Sequence, residues 1–459
     1  MQAFRTVTMA RFKLPKFILK FDRVFRENGF TCYLVGGAVR SLVSGHPLTD
    51  YDFATDAKPE DVRKLFKSVI PTGIKHGTVT VLFESHSLEV TTFRIEGSYS
   101  NARHPDHITF TASLFEDLQR RDFTINSMAI SISEGTLVDP HHGQADLKRG
   151  IIRAIGNPVD RFHEDGLRLM RACRFSAQLE FTIEEKTFNG MLQTIDTIKF
   201  VSAERIRDEL KKILESKRPS VGLKAMHDTG LLAYVIPELE WCVGVPQGGY
   251  HIFDVFEHSL LSCDGAPREK PMVRLAALLH DIGKAETINK KAESEYTFYR
   301  HEIIGEEKSH SIMRSLKFSK EEEAKVCLLI RHHMFNYTED WSDGAIRRFI
   351  AKVGTDNLED LFDLRLADQY GLQGRKPKTD TLASFRFRIK RILEKEDALS
   401  IKDLDIDGHI LHKEAGIPFG PDMGRILEQL LETVMDDPDL NRKEDLIRIA
   451  ERFYLDYLS

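Results

Sequence analysis

The sequence predicts an α+β chain, a small mixed head of strands and helices followed by helical regions, and three observations carry that reading. Residues 78–83 and 88–93 are β-rich runs separated by turn signals and interleaved with a helical stretch at 60–67. Beyond Pro158 the strands give way to helical periodicity over 162–175, 202–215 and 221–234. A Pro- and Gly-rich loop, 245–249, then opens a further helical region that is unusually rich in His.

At 459 residues the chain is too long for one core, and roughly 150 residues per domain suggests about three. The joins fall near Gly156-Asn157-Pro158, before the 245–249 loop and ahead of the last stretch, where Gly416, Pro418, Gly420 and Pro421 precede a helix over 423–435. The resulting segments are 1–155, 156–240, 241–396 and 397–459. Residues 1–20 are basic with no acidic residue, which raises a transit peptide, but they lack its Ser-rich character. Over 14–30, Phe17, Ile18, Phe21, Val24 and Phe25 fall on one helical face, so this stretch reads as the lead-in helix of the first domain, with Met9 an alternative start.

With 41% hydrophobic and 30% charged residues the composition is that of an ordinary globular protein. No apolar run approaches the ~20 residues that span a bilayer. Five cysteines without Cys-x-x-Cys spacing suggest neither a zinc knuckle nor a disulfide framework, and a reducing cytoplasm fits. A net charge of −6 neither supports nor opposes a nucleic-acid partner, because phosphate affinity depends on local basic patches.

Chemistry concentrates first in YLVGGAVR (33–40), followed by LTDYDFAT (48–55). A turn at Gly36 and Gly37 that opens a helix leaves backbone N–H groups free to cradle phosphate, and the helix carries Arg40. On a strand Asp50 and Asp52 face the same way, so their carboxylates converge where a divalent metal would sit, and hard oxygen ligands favour Mg²⁺. Glu89 is a third candidate carboxylate, or an exposed strand residue. The run 94–105 reads as a mobile polar loop or, more blandly, as a hairpin connection. In RRDFTINSMA (120–129), Arg120 and Arg121 suit triphosphate oxygens and Asp122 can accept from a ribose 2′-OH, the bland alternative being a helix cap. In HEDGLRLMRACRF (163–175), Glu164, Asp165, Arg168 and Arg171 recur at helical spacing, which a surface salt bridge would also explain. Farther on, His258, His280-Asp281, His301, His332-His333 and Asp368 offer imidazole and carboxylate ligands suited to Mn, Ni, Fe or Mg, although a lone helical His is usually structural.

Together these strings resemble the class II tRNA CCA-adding enzymes and bacterial poly(A) polymerases of the polymerase-β-type superfamily, and the resemblance runs the length of the chain. It implies a nucleotidyltransferase head, an all-α neck, an inserted domain that resembles the HD metal-dependent phosphohydrolases through ALLHDIGKA (277–285), and a tRNA-binding tail. By resemblance Asp50, Asp52 and Glu89 are catalytic. Gly36, Gly37, Arg40, Arg120, Arg121, Asp122, Asn126, Glu164, Asp165, Arg168 and Arg171 bind nucleotide, with Asp122 selecting ribonucleotides and Asn126 supporting the site. ERIRDEL (204–210) resembles a motif that buttresses the neck. The family departs here at Ser41, where it usually has Asp.

The implied activity is template-independent addition of C, C and A from CTP and ATP to the tRNA 3′ end with release of pyrophosphate, using Mg²⁺ and with a second divalent transition metal in the HD domain, held by His258, His280, Asp281 and Asp368 and more weakly by His301 and His333. C and A both present an exocyclic amine beside an unprotonated ring nitrogen. Asp165 can accept from the amine while Arg168 donates to the nitrogen, whereas G and U mismatch both. Two alternatives stand beside this: a poly(A) polymerase or partial CC- or A-adding enzyme, and an HD-type phosphodiesterase or phosphatase.

Overall fold

A computed structural model of the chain describes residues 12–48, 51–96, 108–248, 252–292, 295–375, 379–395 and 398–458. Asp50, Met9, Gly249 and most of the polar loop expected at 94–105 lie outside the described residues. The chain forms two compact units, one running to Glu240 and including Ser315–Phe318, the other comprising Trp241–Arg314 and Ser319–Ser459.

The first unit opens with α1 (Lys16–Glu27), β1 (Cys32–Val35), α2 (Gly36–Val43), β2 (Asp52–Thr55), α3 (Pro59–Leu65), β3 (Val69–Gly73), β4 (Thr78–Phe83) and β5 (His86–Thr92). It continues through β6 (Arg94–Glu96), β7 (Ile108–Phe110), α4 (Leu114–Gln119), β8 (Ala129–Ser131), β9 (Thr136–Val138), α5 (Gly143–Arg149) and β10 (Ile151–Ile152). Among the described residues seven strands form one sheet in the order β3-β4-β5-β2-β1-β8-β9. Strands β2 and β5 run parallel, with Asp52 directly beside Glu89, and the other neighbours are antiparallel. The apolar face expected of α1 is buried through Ile18, Phe21 and Phe25, and Phe21 packs against Phe53, Phe66 and Phe83. Burying aromatic rings of this size supplies much of the apolar area that holds a small head together.

Helices then take over: α6 (Pro158–Glu164), α7 (Leu167–Leu179), the short β11 (Thr182–Ile183), α8 (Glu185–Thr194), α9 (Ala203–Leu214), α10 (Pro219–Asp228), α11 (Leu232–Val235) and α12 (Pro237–Glu240). Three expectations are corrected here. Strands do not vanish beyond Pro158, because β11 pairs in parallel with β10. The helix expected over 162–175 is two helices broken at Asp165–Gly166, and the one expected over 221–234 is broken at Gly230, whose φ of +75° suits glycine. The first break is closely packed: a Cβ on Gly166 would lie 2.5 Å from the Thr197 carbonyl oxygen, so α7 begins pressed against the 195–200 turn. Just ahead of the new helix Asp165 Oδ1 accepts from Leu167 N at 3.1 Å.

The second unit contains α13 (Val255–Gly265), α14 (Pro271–Leu279), α15 (Lys284–Thr287), the hairpin β12 (Asn289–Ala292) and β13 (Glu295–Thr297), α16 (His301–Ser315), α17 (Lys320–His332), α18 (Asp343–Val353), α19 (Leu358–Gln373) and α20 (Asp380–Leu393). It ends with α21 (Gly408–Glu414), α22 (Pro421–Asp436) and α23 (Lys443–Leu458). The hairpin is a further correction to the all-helical expectation, because its polar, lysine-bearing strands lack an apolar alternation to betray them. The starts of α13, α17 and α18 are fixed by Asp254, Ser319 and Ser342, each accepting a backbone N–H, with Ser319 and Glu322 capping each other reciprocally. The last helices have a core of their own, in which Leu411, Ile417, Ile426, Leu430, Val434, Leu446 and Ala450 are fully buried.

Candidate functional site

The first unit carries an open cleft of about 930 Å³, lined by head and neck together. Its head wall holds Gly36, Gly37, Arg40, Asp52, Glu89, Arg120, Arg121, Asp122 and Asn126, and its neck wall holds Asp165, Arg168 and Arg171. Glu164 stands behind that lining, accepting from Arg168 Nη1 at 2.5 Å. The lining carries nine Arg or Lys side chains against four carboxylates, so the cleft is locally basic although the whole chain is acidic.

Gly36 begins α2 directly after β1 with φ +66°, and a Cβ there would come 3.1 Å from Asp52 Oδ2. Glycine is therefore required both by the turn and by the closeness of the carboxylate. Burial, and then the neighbouring Asp52, hold the Glu89 carboxyl above its ordinary range. Two carboxylates crowded in this way favour a cation between them.

Behind the carboxylates runs a chain of contacts. Arg40 Nη1 donates to Asn126 Oδ1, Asn126 Nδ2 donates to Asp122 Oδ1 at 3.1 Å, and Arg171 Nε donates to Asp122 Oδ2 at 2.7 Å. Burial alone pushes the Asp122 carboxyl up, but the Arg171 guanidinium and the bonds from Asn126, Arg171 and the Phe123 N–H bring it down to about 2. Asp122 is thus a fixed carboxylate and does not cap a helix. The ring of Phe175 lies under three guanidinium groups, those of Arg174, Arg40 and Arg171, at 4.2, 5.3 and 5.4 Å.

On the neck wall Asp165 lies in extended backbone between α6 and α7, while Arg168 is in the first turn of α7. The expected common helix is replaced by a break that brings the pair to one cleft by a different route. Arg168, 7% exposed, donates to the carbonyls of Arg120 and Arg161, each at 3.0 Å. Arg205 on α9 grips Asp165 with both Nη atoms, at 2.8 and 3.3 Å. Arg174 and Glu209 form a buried ion pair at 2.9 Å.

Several functional neighbours escape a reading by motif. Asp117 on α4, fully buried, receives Arg120 Nη2 at 2.6 Å and Arg121 Nη2 at 3.1 Å from just past the helix end, and the i, i+3 and i, i+4 spacing was the available signal. Arg205 and Glu209 lie in the 204–210 string, but only the fold reveals which carboxylate and guanidinium they serve.

In the second unit the sequence-singled residues also converge. His258 comes from α13, His280 and Asp281 follow α14, His301 starts α16, His333 follows α17 and Asp368 lies on α19. Sets formed by His258, His280 and Asp368, and by His280, Asp281 and His333, have ligand atoms mutually within 4.8 Å. Neither His301 nor His332 is in these sets, although His301 Nε2 lies 3.3 Å from Asp281 Oδ1. Lys284, one turn beyond Asp281, donates to its Oδ2 at 2.6 Å and to Gln247 Oε1 at 2.7 Å.

A glycine turn next to carboxylates, facing fixed guanidinium groups across a basic cleft, serves transfer of a nucleotidyl group from a triphosphate, and with this sheet it defines a nucleotidyltransferase with a polymerase-β-type head. Known proteins carry the assignment further. The Poly A polymerase head domain family matches residues 32–153, the RNA and SrmB binding site of polymerase A matches 180–242, and tRNA nucleotidyltransferase domain 2 matches 291–450. The CCA-adding enzyme of Lactobacillus gasseri is 34% identical over 418 residues, spanning 89% of this chain and 90% of that protein. That of Lactobacillus delbrueckii subsp. bulgaricus is 36% identical over 413 residues, with the same coverage of 89% and 90%. The crystal structure of the Bacillus stearothermophilus CCA-adding enzyme in complex with CTP aligns over 96% of this chain and 98% of that one, with a TM-score of 0.73 and 27% identity. The chain belongs to the CCA-adding enzyme family and is a tRNA nucleotidyltransferase. Among the described residues no helix is long and apolar enough to cross a membrane.

Proposed function

We propose that this chain adds C, C and A from CTP and ATP to the 3′ end of tRNA, with the cleft between head and neck as its active site. The observation that carries the reading is that Asp165 and Arg168, a base-reading pair, line the same cleft as Asp52 and Glu89. The relatives' names speak for the CCA reaction, and the roles below are assigned from the geometry and the motif resemblance.

Asp52 and Glu89, joined by Asp50, are the hard-oxygen set for Mg²⁺. A bound ion there would stabilise the charge on the attacking and leaving oxygens. The chain's own residues do the rest. Asp117 holds Arg120 and Arg121 on the cleft wall, where guanidinium groups take triphosphate oxygens. Asp122, kept ionised and oriented by Asn126 and Arg171, accepts from the ribose 2′-OH. Asp165, braced by Arg205, accepts from the amine of C or A, and Arg168, braced by Glu164 and two carbonyls, donates to the ring nitrogen. A base of the opposite polarity leaves buried polar groups unpaired, at about 1–3 kcal/mol each.

The division into head 1–155, neck 156–240, HD domain 241–396 and tail 397–459 is part of the same proposal. It is supported by the separation of the compact units at Glu240 and by the tail's own core. We assign the His and Asp cluster to a divalent transition metal, because its donors are buried or, for Asp368, partly so, mixed imidazole and carboxylate, and convergent from separate elements. The five cysteines are buried free thiols, which suits a cytoplasmic enzyme.

The test is Asp52→Ala with tRNA lacking its 3′ end. Addition of labelled CTP should fall by several orders of magnitude while tRNA affinity stays within about threefold. Wild-type turnover in the variant would remove Asp52 from the reaction.

A further inference from the structure

We infer that the last nucleotide of the acceptor RNA lies against the β5–β4 wall of the cleft, with Thr78 and Thr91 taking its ribose 2′-OH and Arg94 the phosphate behind it. The inference rests on the reading given above, in which the reacting phosphorus lies over Asp52 and Glu89.

The order of the strands carries the placement. Across the sheet run β8, β1, β2, β5 and β4. The turn at Gly36 follows β1, and Arg120 and Arg121 precede β8, so the groups suited to a triphosphate stand on one side of Asp52. On the other side come Glu89 of β5, beside Asp52, and then Thr78 of β4, which pairs with Thr91 of β5. Neighbouring strands are about 4.8 Å apart, so β1 and β4 are separated by roughly 14 Å with the carboxylates between them. Phosphoryl transfer runs in line, the attacking and leaving oxygens on opposite sides of the phosphorus. With pyrophosphate leaving over the glycine turn, the attacking 3′-oxygen comes from the β5–β4 side.

The side chains there suit a ribonucleotide. Glu89 and Thr91 are two residues apart on one strand, hence on one face, and Thr91 lines the cleft together with Thr78 and Arg94. Thr78 Oγ1 and Thr91 Oγ1 are 3.0 Å apart, so one donates to the other. A hydroxyl has one donor and two acceptor lone pairs, and the pair therefore keeps a donor and several lone pairs for a third group. A ribose 2′-OH, donor and acceptor at once, completes such a set, and it is the group that tells RNA from DNA. Cross-strand threonine pairs also stabilise sheets, as Thr72 and Thr80 do at the same 3.0 Å. The pair at 78 and 91 differs in lining the cleft.

The wall is held in place from behind. A Cβ on Gly77 would come 2.8 Å from Phe110 Cε1, and the Gly77 carbonyl accepts from Thr92 N at 2.9 Å. Arg94 donates to the carbonyl of His76, on the other side of that glycine. A guanidinium fixed at the cleft wall three residues past Thr91 brings the charge and the donors that a phosphodiester takes.

The experiment measures addition of a single C by the full chain, with Mg²⁺ and CTP, to two tRNA transcripts lacking the last three nucleotides. One ends in a ribonucleotide and the other in a 2′-deoxynucleotide. For wild type, KM for the deoxy-ended tRNA should be about 3- to 10-fold higher. The double variant Thr78→Val, Thr91→Val should raise KM for the ribo-ended tRNA by a similar factor, hold KM for CTP within about twofold, and no longer separate the two acceptors. Thr72→Val, the same change outside the cleft lining, should alter none of these. Arg94→Gln should flatten the dependence of log KM for tRNA on log salt by about 0.7, and Arg94→Lys should restore it. Equal KM for both acceptors in wild type, a double variant that keeps the wild-type KM or preference, or an equal loss in Thr72→Val would overturn the ribose site. An unchanged salt slope in Arg94→Gln would overturn the phosphate contact. If the double variant does not fold, the wild-type comparison decides. A wild type that adds C to neither tRNA refutes the underlying reading instead.

Discussion

Gly166→Ala offers a direct probe of how the neck presents Asp165 and Arg168, the pair proposed to read the base. Gly166 has an ordinary helical backbone, φ −59° and ψ −20°, so alanine meets no torsional penalty there. Its Cβ, however, would stand 2.5 Å from the Thr197 carbonyl oxygen, where ordinary contact begins at 3.4 Å. The start of α7 must therefore move by about 0.9 Å, the difference between those two distances. Overpacking of this kind costs about 1–3 kcal/mol. At about 2–4 °C per kcal/mol for a unit of this size, Tm should drop by roughly 2–12 °C. The movement reaches function because Asp165 and Arg168 flank the glycine and hold Arg205 and the carbonyls of Arg120 and Arg161. A displacement near 1 Å can cost about a hundredfold in a positioned reaction. We expect kcat/KM for CTP to fall about 10- to 100-fold in single-nucleotide addition, and to fall less for UTP, which gains nothing from the native geometry. A folded variant with wild-type Tm and an unchanged preference for CTP over UTP would refute the packing argument and the role of the pair together.

Three other outcomes follow from particular contacts. Arg205→Ala removes the two-pronged grip on Asp165, and since charge-assisted bonds contribute about 1.5–3 kcal/mol, kcat/KM for CTP and ATP should drop roughly 10- to 100-fold with weaker rejection of UTP, Arg205→Lys falling between; equal selectivity in all three would exclude the brace. Asp122 has its folded pKa depressed from 3.8 to about 2, so it contributes stability that is present above about pH 4 and lost as pH falls toward 2. The unfolding free energy of wild type should therefore exceed that of Asp122→Asn by about 2 kcal/mol at pH 7, and the gap should narrow below pH 4; a constant gap would mean that Arg171 does not hold the carboxylate. Removal of bound metal by a chelator should lower the unfolding temperature of the second unit, since an ion present at a hundred times its dissociation constant contributes about 2.7 kcal/mol, and an identical melt before and after chelation would argue against an occupied cluster.

The head is legible in the sequence because its signals are local. Alternating apolar residues mark β4 and β5, the face of α1 repeats at helical spacing, and Gly36 must be glycine for its backbone alone. The candidate ligands of both sites can be picked out by residue type and by the strings they fall in, the carboxylate pair after a Gly-Gly turn and the His-Asp series. Partnership is what a string does not carry. That Arg205 grips Asp165, or that Asp117 holds Arg120 and Arg121, depends on which helix faces which, and only packing decides it. The break at Asp165–Gly166 is hidden for the same reason: residues 162–175 keep helical periodicity on both sides of it, and the close approach that leaves no room for a side chain at Gly166 comes from Thr197, some thirty positions away. Strand β11 and the hairpin β12–β13 are too short and too polar to stand out against the helices around them.

The reaction itself is tested by sequencing the 3′ ends of a tRNA transcript that lacks its last three nucleotides, after incubation of the full chain with Mg²⁺, CTP and ATP, and in parallel with UTP and GTP. Ends should read CCA and stop there, with no extension from UTP or GTP, and Asp52→Ala should leave the transcript unextended. Ends carrying runs of A, ends that stop at CC with ATP present, or full extension by the Asp52→Ala variant would contradict a CCA-adding site built on this cleft.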